Sequence, residues 1–224
     1  MKITDLKCAV IGSNPVVRIT TDAGIDGYGQ AENSKRYLKP HIMFYRDRII
    51  GQDPRDVERV MLGIRRLGSF KPWGAAVSAI EIALWDIAGK AAGVPVYRLL
   101  GGKVRDRVRV YNGGVRFPME GDSPAAYAEN MAQMKESPEG FSIIKQGVAF
   151  HSGMPRDVDD FYYGDPSDGH LHLNRGALTE KGMNYLVERI RAMKEVCGEE
   201  VGLALDCGPG MMVQDAKRLA QAVE

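Results

Sequence analysis

The chain has 224 residues, of which 44% are hydrophobic and 26% charged, and its formal net charge is +1. This balance is typical of a globular protein with one large or two small domains, and it favours neither nucleic acid nor a membrane surface as partner. Three distant cysteines, the lack of a signal-peptide core and the lack of an apolar run of about 20 residues predict a cytoplasmic protein with reduced thiols.

The first part of the chain predicts a small α+β domain in which strands precede helices. Turn-forming residues separate three predicted strands, at residues 2–10, 16–21 and 25–32. Two helices are predicted to follow, at residues 37–50 and 54–67. Asp53-Pro54 marks the start of the second helix, because an N-cap residue followed by a first-turn proline commonly begins a helix.

The central stretch, residues 73–102, is the one around which we expect the rest to be organised. Apolar side chains occupy nearly every face of the helix predicted there, which indicates burial between two layers. Asp86 and Lys90 have the i,i+4 spacing of a helical ion pair. Gly93 and Pro95 end the helix. We interpret this stretch as the joint between two domains.

The second half alternates strands with helices. Strands are predicted at residues 108–111, 141–145 and 202–206, and helices at residues 123–135, 179–196 and from 213 onward. This alternation predicts a parallel sheet built of βα units, and the apolar strands fit burial on both faces. A closed barrel of this kind needs about eight strands. We therefore expect the chain to be part of a longer protein, the alternative being a complete three-layer sandwich.

Two charged residues at predicted strand ends are candidates for chemistry. Lys145 ends one apolar strand, and partial burial of its amine would lower its pKa and suit it as a general base or a carboxylate clamp. Alternatively, Lys145 buries its aliphatic stem and extends its amine into solvent without a role in chemistry. Asp206 ends the next strand and suits a hard cation such as Mg²⁺. Without further context, an Asp before Gly-Pro-Gly is more often a turn or cap residue.

The segment at residues 147–176 is irregular and rich in Gly, Asp, Pro, Tyr and His. A loop of this length in a domain is usually functional or disordered. It follows a strand's carboxyl end, where barrel enzymes place their sites. His151, Tyr162 and Arg175 are therefore candidates for contact with a hydroxylated acid, or for a solvated loop without such a role.

The run SAIEIALWDIAGKAAGVPVYRLLGG within residues 78–102 resembles the linker region of the enolase superfamily, in its mandelate racemase and muconate lactonizing enzyme-like branch. The resemblance implies an α+β capping domain with linker over residues 1–104. It also implies the first three βα units of an incomplete (β/α)7β TIM-like barrel over residues 105–224. Tyr37 falls by position in a specificity loop of the family's capping domain, which makes it a candidate for substrate binding.

The resemblance also assigns roles to the two strand-end residues. The family has Lys-x-Lys at the first strand end, and this chain has Lys145-Gln146-Gly147, so only the first lysine, which contacts the substrate carboxylate, is matched. The family has Asp-x-Asn at the next, and this chain has Asp206-Cys207-Gly208. The resemblance therefore implies that Asp206 is the first of three carboxylate ligands of Mg²⁺. Because the family's other ligands and its His-Asp pair come from later strands, we expect the 224 residues alone to be inactive.

The family removes a proton next to a carboxylate, and a racemase needs a base on both faces of the substrate carbon. Gly147 replaces the usual base on one face, which argues against racemisation and for a sugar-acid dehydratase. The implied partners are a small carboxylate substrate and, for the full-length protein, further copies of itself in a homo-oligomer. Two alternatives stay open: a racemase or cycloisomerase of the same superfamily with an atypical base, and a truncated binding protein without catalysis.

Overall fold

Two units make up the structure, a computed structural model, and they comprise residues 1–106 and 107–224. The model describes residues 1–68, 71–163, 177–208 and 210–224. In the described part of the chain, no helix is both long and apolar enough to cross a membrane.

The first unit begins with an antiparallel sheet in the order β1-β2-β3, as the sequence predicts. Its strands are β1 (Ile3–Ile11), β2 (Asn14–Thr21) and β3 (Gly27–Gln30). Alternate residues on one face are buried, and Leu6 pairs there with Ile19. The period of two therefore places one apolar face towards the helices of this unit.

Five helices follow in this unit's described residues: α1 (Leu38–Phe44), α2 (Arg46–Ile49), α3 (Val57–Gly68), α4 (Lys71–Ala92) and α5 (Val96–Leu99). The single helix predicted at residues 37–50 is thus divided at Tyr45. The Tyr45 N–H donates to the Ile42 carbonyl at 3.1 Å, an i to i−3 bond that tightens the chain there.

Helix α4 supplies much of the core of the first unit, but its burial is less complete than the sequence predicts. Its residues Ala79, Ile80, Ala83 and Leu84 are fully buried. Ile82 is 50% exposed. The sheet and helices α1 and α3 contact α4, and they leave the side that carries Ile82 uncovered.

Strand β3 lies directly against the backbone of α4. A β-carbon at Gly27 would overlap the Ala83 carbonyl oxygen, and one at Gly29 would overlap that of Ala79. The two segments approach this closely because neither glycine carries a side chain.

A solvent-exposed ion pair between Asp86 and Lys90 reinforces the same contact. The Tyr28 N–H donates to Asp86 Oδ2 at 2.9 Å. Lys90 Nζ lies 2.6 Å from the same oxygen and also donates to the Asp26 carbonyl at 2.8 Å. The predicted i,i+4 pair is therefore confirmed, and it also ties β3 to α4.

The second unit has a two-stranded parallel sheet, of strands β4 (Ile143–Gly147) and β5 (Gly202–Asp206), with Gly147 opposite Asp206. Its described helices are α6 (Pro124–Lys135), α7 (Met154–Asp157), α8 (Glu180–Cys197) and α9 (Val213–Val223). Ser123 caps α6 and Thr179 caps α8, each accepting a backbone N–H through its hydroxyl.

The strand predicted at residues 108–111 is wrong. Val108 and Val110 are 72% and 64% exposed, and sheet pairing in this region is one parallel bridge between Asn112 and Ile144. The Asn112 side chain accepts the N–H groups of Gly114 and Val115, which turns the chain away from the sheet. In the described residues, the predicted three-stranded arrangement is therefore two strands and a bridge.

The core of the second unit lies between α6, α8 and the sheet. The apolar face of α8 is buried, at Met183, Leu186, Val187, Ile190 and Met193. Leu203 and Leu205 of β5 are only partly buried, because they line an open cavity of about 670 Å³ together with residues of α8 and the end of α9.

Replacement of Gly29 by Ala is expected to destabilise the first unit by about 2–3 kcal/mol, because the new methyl group forces β3 away from α4. Urea unfolding followed by circular dichroism measures the change. Gly63→Ala is the matched control, since a β-carbon at Gly63 meets nothing within 4 Å and alanine favours a helix. An unchanged unfolding midpoint for Gly29→Ala would contradict the close approach.

Candidate active site

The two strand-end residues meet at the carboxyl edge of the parallel sheet. Lys145 lies opposite Ala204 and Gly147 opposite Asp206, so Lys145 and Asp206 point to the same face. Lys145 Nζ is 2.9 Å from Asp206 Oδ2, and the two side chains are 29% and 28% exposed. The structure thus brings together the two residues that the sequence singles out, while their roles stay predictions.

This ion pair sets the protonation of both groups. The hydrogen bond from Lys145 is the main cause that holds the pKa of Asp206 below its ordinary value, against the opposing effect of burial. The hydrogen bond to Asp206 raises the pKa of Lys145, and this outweighs both burial and the charge of Arg116. The expectation of a lowered lysine pKa is therefore wrong. At neutral pH Lys145 is a cation, which suits a carboxylate clamp better than a base.

Arg116 is a second cation at this edge, and it was not predicted from the sequence. Its Nη2 donates to the Lys145 carbonyl at 2.7 Å, and it also bonds the carbonyl of Gly113. Lys145 Nζ lies 6.0 Å from the centre of the Tyr111 ring. No local motif marks Arg116, because its contact with β4 arises only from the bridge that brings Asn112 beside that strand.

A one-turn 3-10 helix, residues Ala149–His151, follows β4 directly and brings His151 to the pair; we call it the 149–151 turn. The Val148 N–H donates to the Asp206 carbonyl at 2.9 Å, which fixes the turn to the end of β5. His151 Nδ1 lies 3.5 Å from Asp206 Oδ1, and its side chain is 55% exposed. Of the loop residues predicted from sequence, His151 is thus the one placed beside Asp206.

A cavity of about 650 Å³ opens next to this turn. Its lining includes Arg116, Asp122, Gln146, His151, Ser152 and Asp157. The lining contains hydrogen-bond donors and acceptors and side chains of both charges, which suits a polar, hydroxylated molecule.

The other predicted substrate contacts lie elsewhere. Tyr162 is 6% exposed, and its ring lies 6.0 Å from that of Phe150 in the core of the second unit. Tyr37 is 54% exposed and precedes α1 in the first unit. Arg175 lies outside the described residues. All three stay predictions.

A complete metal site is not formed by the described residues, in which no three His, Cys, Asp or Glu side chains are grouped to hold an ion. Asp206 fits the role of a single ligand, because the partners of its Oδ1 among the described residues are the His151 imidazole and the Gly208 N–H, at 3.5 and 3.3 Å. Mg²⁺ held by one carboxylate would need further anionic ligands from outside these residues.

Comparison with known proteins relates the chain to one enzyme family. The family model "Mandelate racemase / muconate lactonizing enzyme, N-terminal domain" matches residues 10–101. The chain is 30% identical over 241 aligned residues to a D-galactonate dehydratase family member from a Marinomonas species, covering 100% of this chain and 57% of that protein. It is 31% identical to the D-xylonate dehydratase of Haloferax volcanii, covering 100% of this chain and 52% of that protein.

A solved structure shows the same fold. The chain superimposes with a TM-score of 0.75 on a mandelate racemase/muconate lactonizing enzyme-like protein from Rubrobacter xylanophilus, at 30% identity. This match covers 98% of this chain and 57% of that protein. The chain therefore spans little more than half the length of the proteins it resembles.

Replacement of Asp206 by Asn is expected to lower the pKa of Lys145 towards its ordinary value, because the hydrogen bond and the negative charge that raise it are lost. The pair is intact between the lowered pKa of Asp206 and the raised pKa of Lys145, and it opens as the pH leaves that window at either end. NMR titration of the lysine side chains measures the shift. Asp157→Asn is the control, and a Lys145 pKa unmoved by Asp206→Asn would refute the pairing.

Proposed function

Because this chain belongs to the mandelate racemase and muconate lactonizing enzyme branch of the enolase superfamily, we propose that the full-length protein is a magnesium-dependent sugar-acid dehydratase. The single observation that carries the proposal is the Lys145–Asp206 pair at the carboxyl ends of neighbouring parallel strands. Its similarity to proteins named D-galactonate and D-xylonate dehydratases supports the choice of substrate class.

The proposed division of the chain follows the same reasoning. Residues 1–104 form the capping domain with its linker, and residues 105–224 form the first part of a (β/α)7β barrel. The family match at residues 10–101 and the boundary between units after Asp106 support this division.

Lys145 is the proposed clamp for the substrate carboxylate. Its raised pKa keeps the amine charged at neutral pH, and its charge lies at the edge of the sheet, where it is 29% exposed. Arg116 adds positive charge nearby. A charge-assisted hydrogen bond from Lys145 would fix the acid and draw electrons away from the adjacent carbon, which makes its proton easier to remove.

Asp206 is the proposed first ligand of Mg²⁺, together with carboxylates from outside the described residues. When bound, the ion supplies electrostatic stabilisation of the negative charge that develops on the substrate carboxylate. The 224 residues alone are proposed to be inactive, because the described residues provide one ligand and no complete site.

The proposed reaction is loss of water. The base removes the proton from the carbon next to the carboxylate. Hydroxide leaves the following carbon and is protonated to water, and the resulting enol tautomerises to a 2-keto-3-deoxy acid. A histidine from outside this chain is the proposed base. Gly147 offers no side chain for a second base, which favours dehydration over racemisation or cycloisomerisation.

The remaining residues are proposed to contact the substrate hydroxyl groups: Tyr37, His151, Tyr162 and Arg175. Of these, His151 has the strongest support, because it lies beside Asp206 and lines the cavity. The protein is further proposed to be a cytoplasmic homo-oligomer. The proposed location is supported by its three cysteines, which are free thiols: Cys8, Cys197 and Cys207.

The experiment is a screen of the full-length protein with Mg²⁺ against aldonic and aldaric acids, with 2-keto-3-deoxy products detected colorimetrically. Lys145→Met is expected to raise KM about 10- to 100-fold, because a charge-assisted hydrogen bond to the carboxylate is lost. Calorimetry is expected to show that this variant still binds Mg²⁺, because the Asp206 carboxylate is retained and loses a competing cation.

Asp206→Asn is the complementary variant, expected to weaken Mg²⁺ binding itself and to abolish turnover. Lys217→Met, a lysine of α9 that the proposal leaves out of the site, is the matched control and should retain wild-type kinetics. Exchange of the proton next to the carboxylate without loss of water would instead identify a racemase. A protein that binds acids but neither exchanges nor dehydrates them would refute the enzyme assignment.

A further inference from the structure

Two glycines from neighbouring strand ends adjoin the same histidine. A β-carbon at Gly147, the last residue of β4, would lie 2.8 Å from the carbonyl oxygen of His151. A β-carbon at Gly208, two residues after β5, would lie 2.8 Å from the N–H nitrogen of His151. Real β-carbons essentially never come within 3.0 Å of a heavy atom outside their own and adjacent residues, so neither position admits a side chain while the 149–151 turn is in place.

A third glycine, Gly210, lies two residues after Gly208 and also adjoins the turn. A β-carbon at Gly210 would lie 2.7 Å from Cγ of the Phe150 ring. We refer to Gly147, Gly208 and Gly210 as the glycine cluster. Its members come from two separate segments of the chain, and all adjoin the 149–151 turn.

The turn is held firmly between these segments. Val148 and Ala149 are fully buried, and Phe150 is 9% exposed and packs its ring against Phe161. The Val148 N–H bonds the Asp206 carbonyl. Ala149 has φ of +47°, a left-handed conformation that a non-glycine residue adopts only when its surroundings impose it.

Backbone conformation alone does not account for the glycine cluster. Gly147 has no positive φ, so its backbone would accept any residue. Gly140 has φ of +63°, close to the +69° of Gly208, yet a β-carbon at Gly140 meets nothing within 4 Å. Gly147 and Gly208 therefore differ from Gly140 in that the turn occupies the space where their side chains would lie.

We propose that Gly147 and Gly208 are positioning residues that admit the 149–151 turn between the two strand ends and so fix His151 for hydrogen bonding to a substrate hydroxyl. This inference rests on the proposed function for the identity of the substrate class. The imidazole is the exposed part of an otherwise buried turn, it lies beside Asp206, and it lines the 650 Å³ cavity. Either nitrogen of an imidazole can donate to or accept from a hydroxyl group.

The test compares four variants of the full-length protein on the sugar acid that the wild type dehydrates best. Gly147→Ala and Gly208→Ala are each expected to raise KM about fivefold to tenfold, because one substrate hydrogen bond is lost. Gly114→Ala is the control for Gly147→Ala, since it has open space and no positive φ. Gly140→Ala is the control for Gly208→Ala, since it imposes the same left-handed strain without the contact.

A double-variant comparison separates positioning from general disruption. His151→Ala is expected to raise KM by a similar factor, His151→Asn to restore most of the affinity, and Gly147→Ala to add nothing in the His151→Ala background. Kinetic constants of the two glycine variants equal to those of their controls would overturn the proposal. Additive losses in the double variant would overturn it as well.

Crystal structures of the full-length wild type and Gly208→Ala make the test independent of activity. The proposal expects the imidazole beside Asp206 in the wild type and displaced in the variant. An imidazole that keeps its place in Gly208→Ala overturns the positioning role, even if the enzyme dehydrates sugar acids. Absence of turnover with every acid, combined with displacement of the imidazole, would refute the proposed function and leave the positioning role supported.

Discussion

Contact between Lys145 and Asp206 depends on the parallel register of β4 and β5, which places both residues on one face at one edge of the sheet. Each charge changes the protonation of the other, so the lysine is held as a cation and the aspartate as an anion. A shift of the register by one residue would move one partner to the opposite face. The proposed clamp and the proposed metal ligand are therefore both consequences of strand pairing.

Glycine has the same physical role in both units, where it allows backbone segments to approach without intervening side chains. Gly27 and Gly29 bring β3 against α4, and Gly147 and Gly208 bring the 149–151 turn between two strand ends. In the first unit the close approach serves packing. In the second it leaves room for the turn that carries His151, whose Nδ1 lies 3.5 Å from Asp206 Oδ1.

Local patterns predicted much of the fold and the two central residues of the site. Turn-forming residues located the strands of the first sheet, the helix predicted at residues 179–196 corresponds to α8, and strand-end position identified Lys145 and Asp206. The strand predicted at residues 108–111 failed, because Val108 and Val110 have the right pattern but the described residues offer them no partner strand. Arg116 and the packing around Gly147 were not predictable, since they depend on contacts between segments distant in sequence.

The tight fit of the 149–151 turn also restricts which side chains the two strand ends can carry. By resemblance, Gly147 and Gly208 occupy the motif positions of a lysine and an asparagine, and each faces the backbone of His151. Either Gly147→Lys or Gly208→Asn would collide with the turn, so neither substitution fits unless the turn moves as well. Substitutions in the turn and at the two strand ends are therefore expected to have non-additive effects on stability.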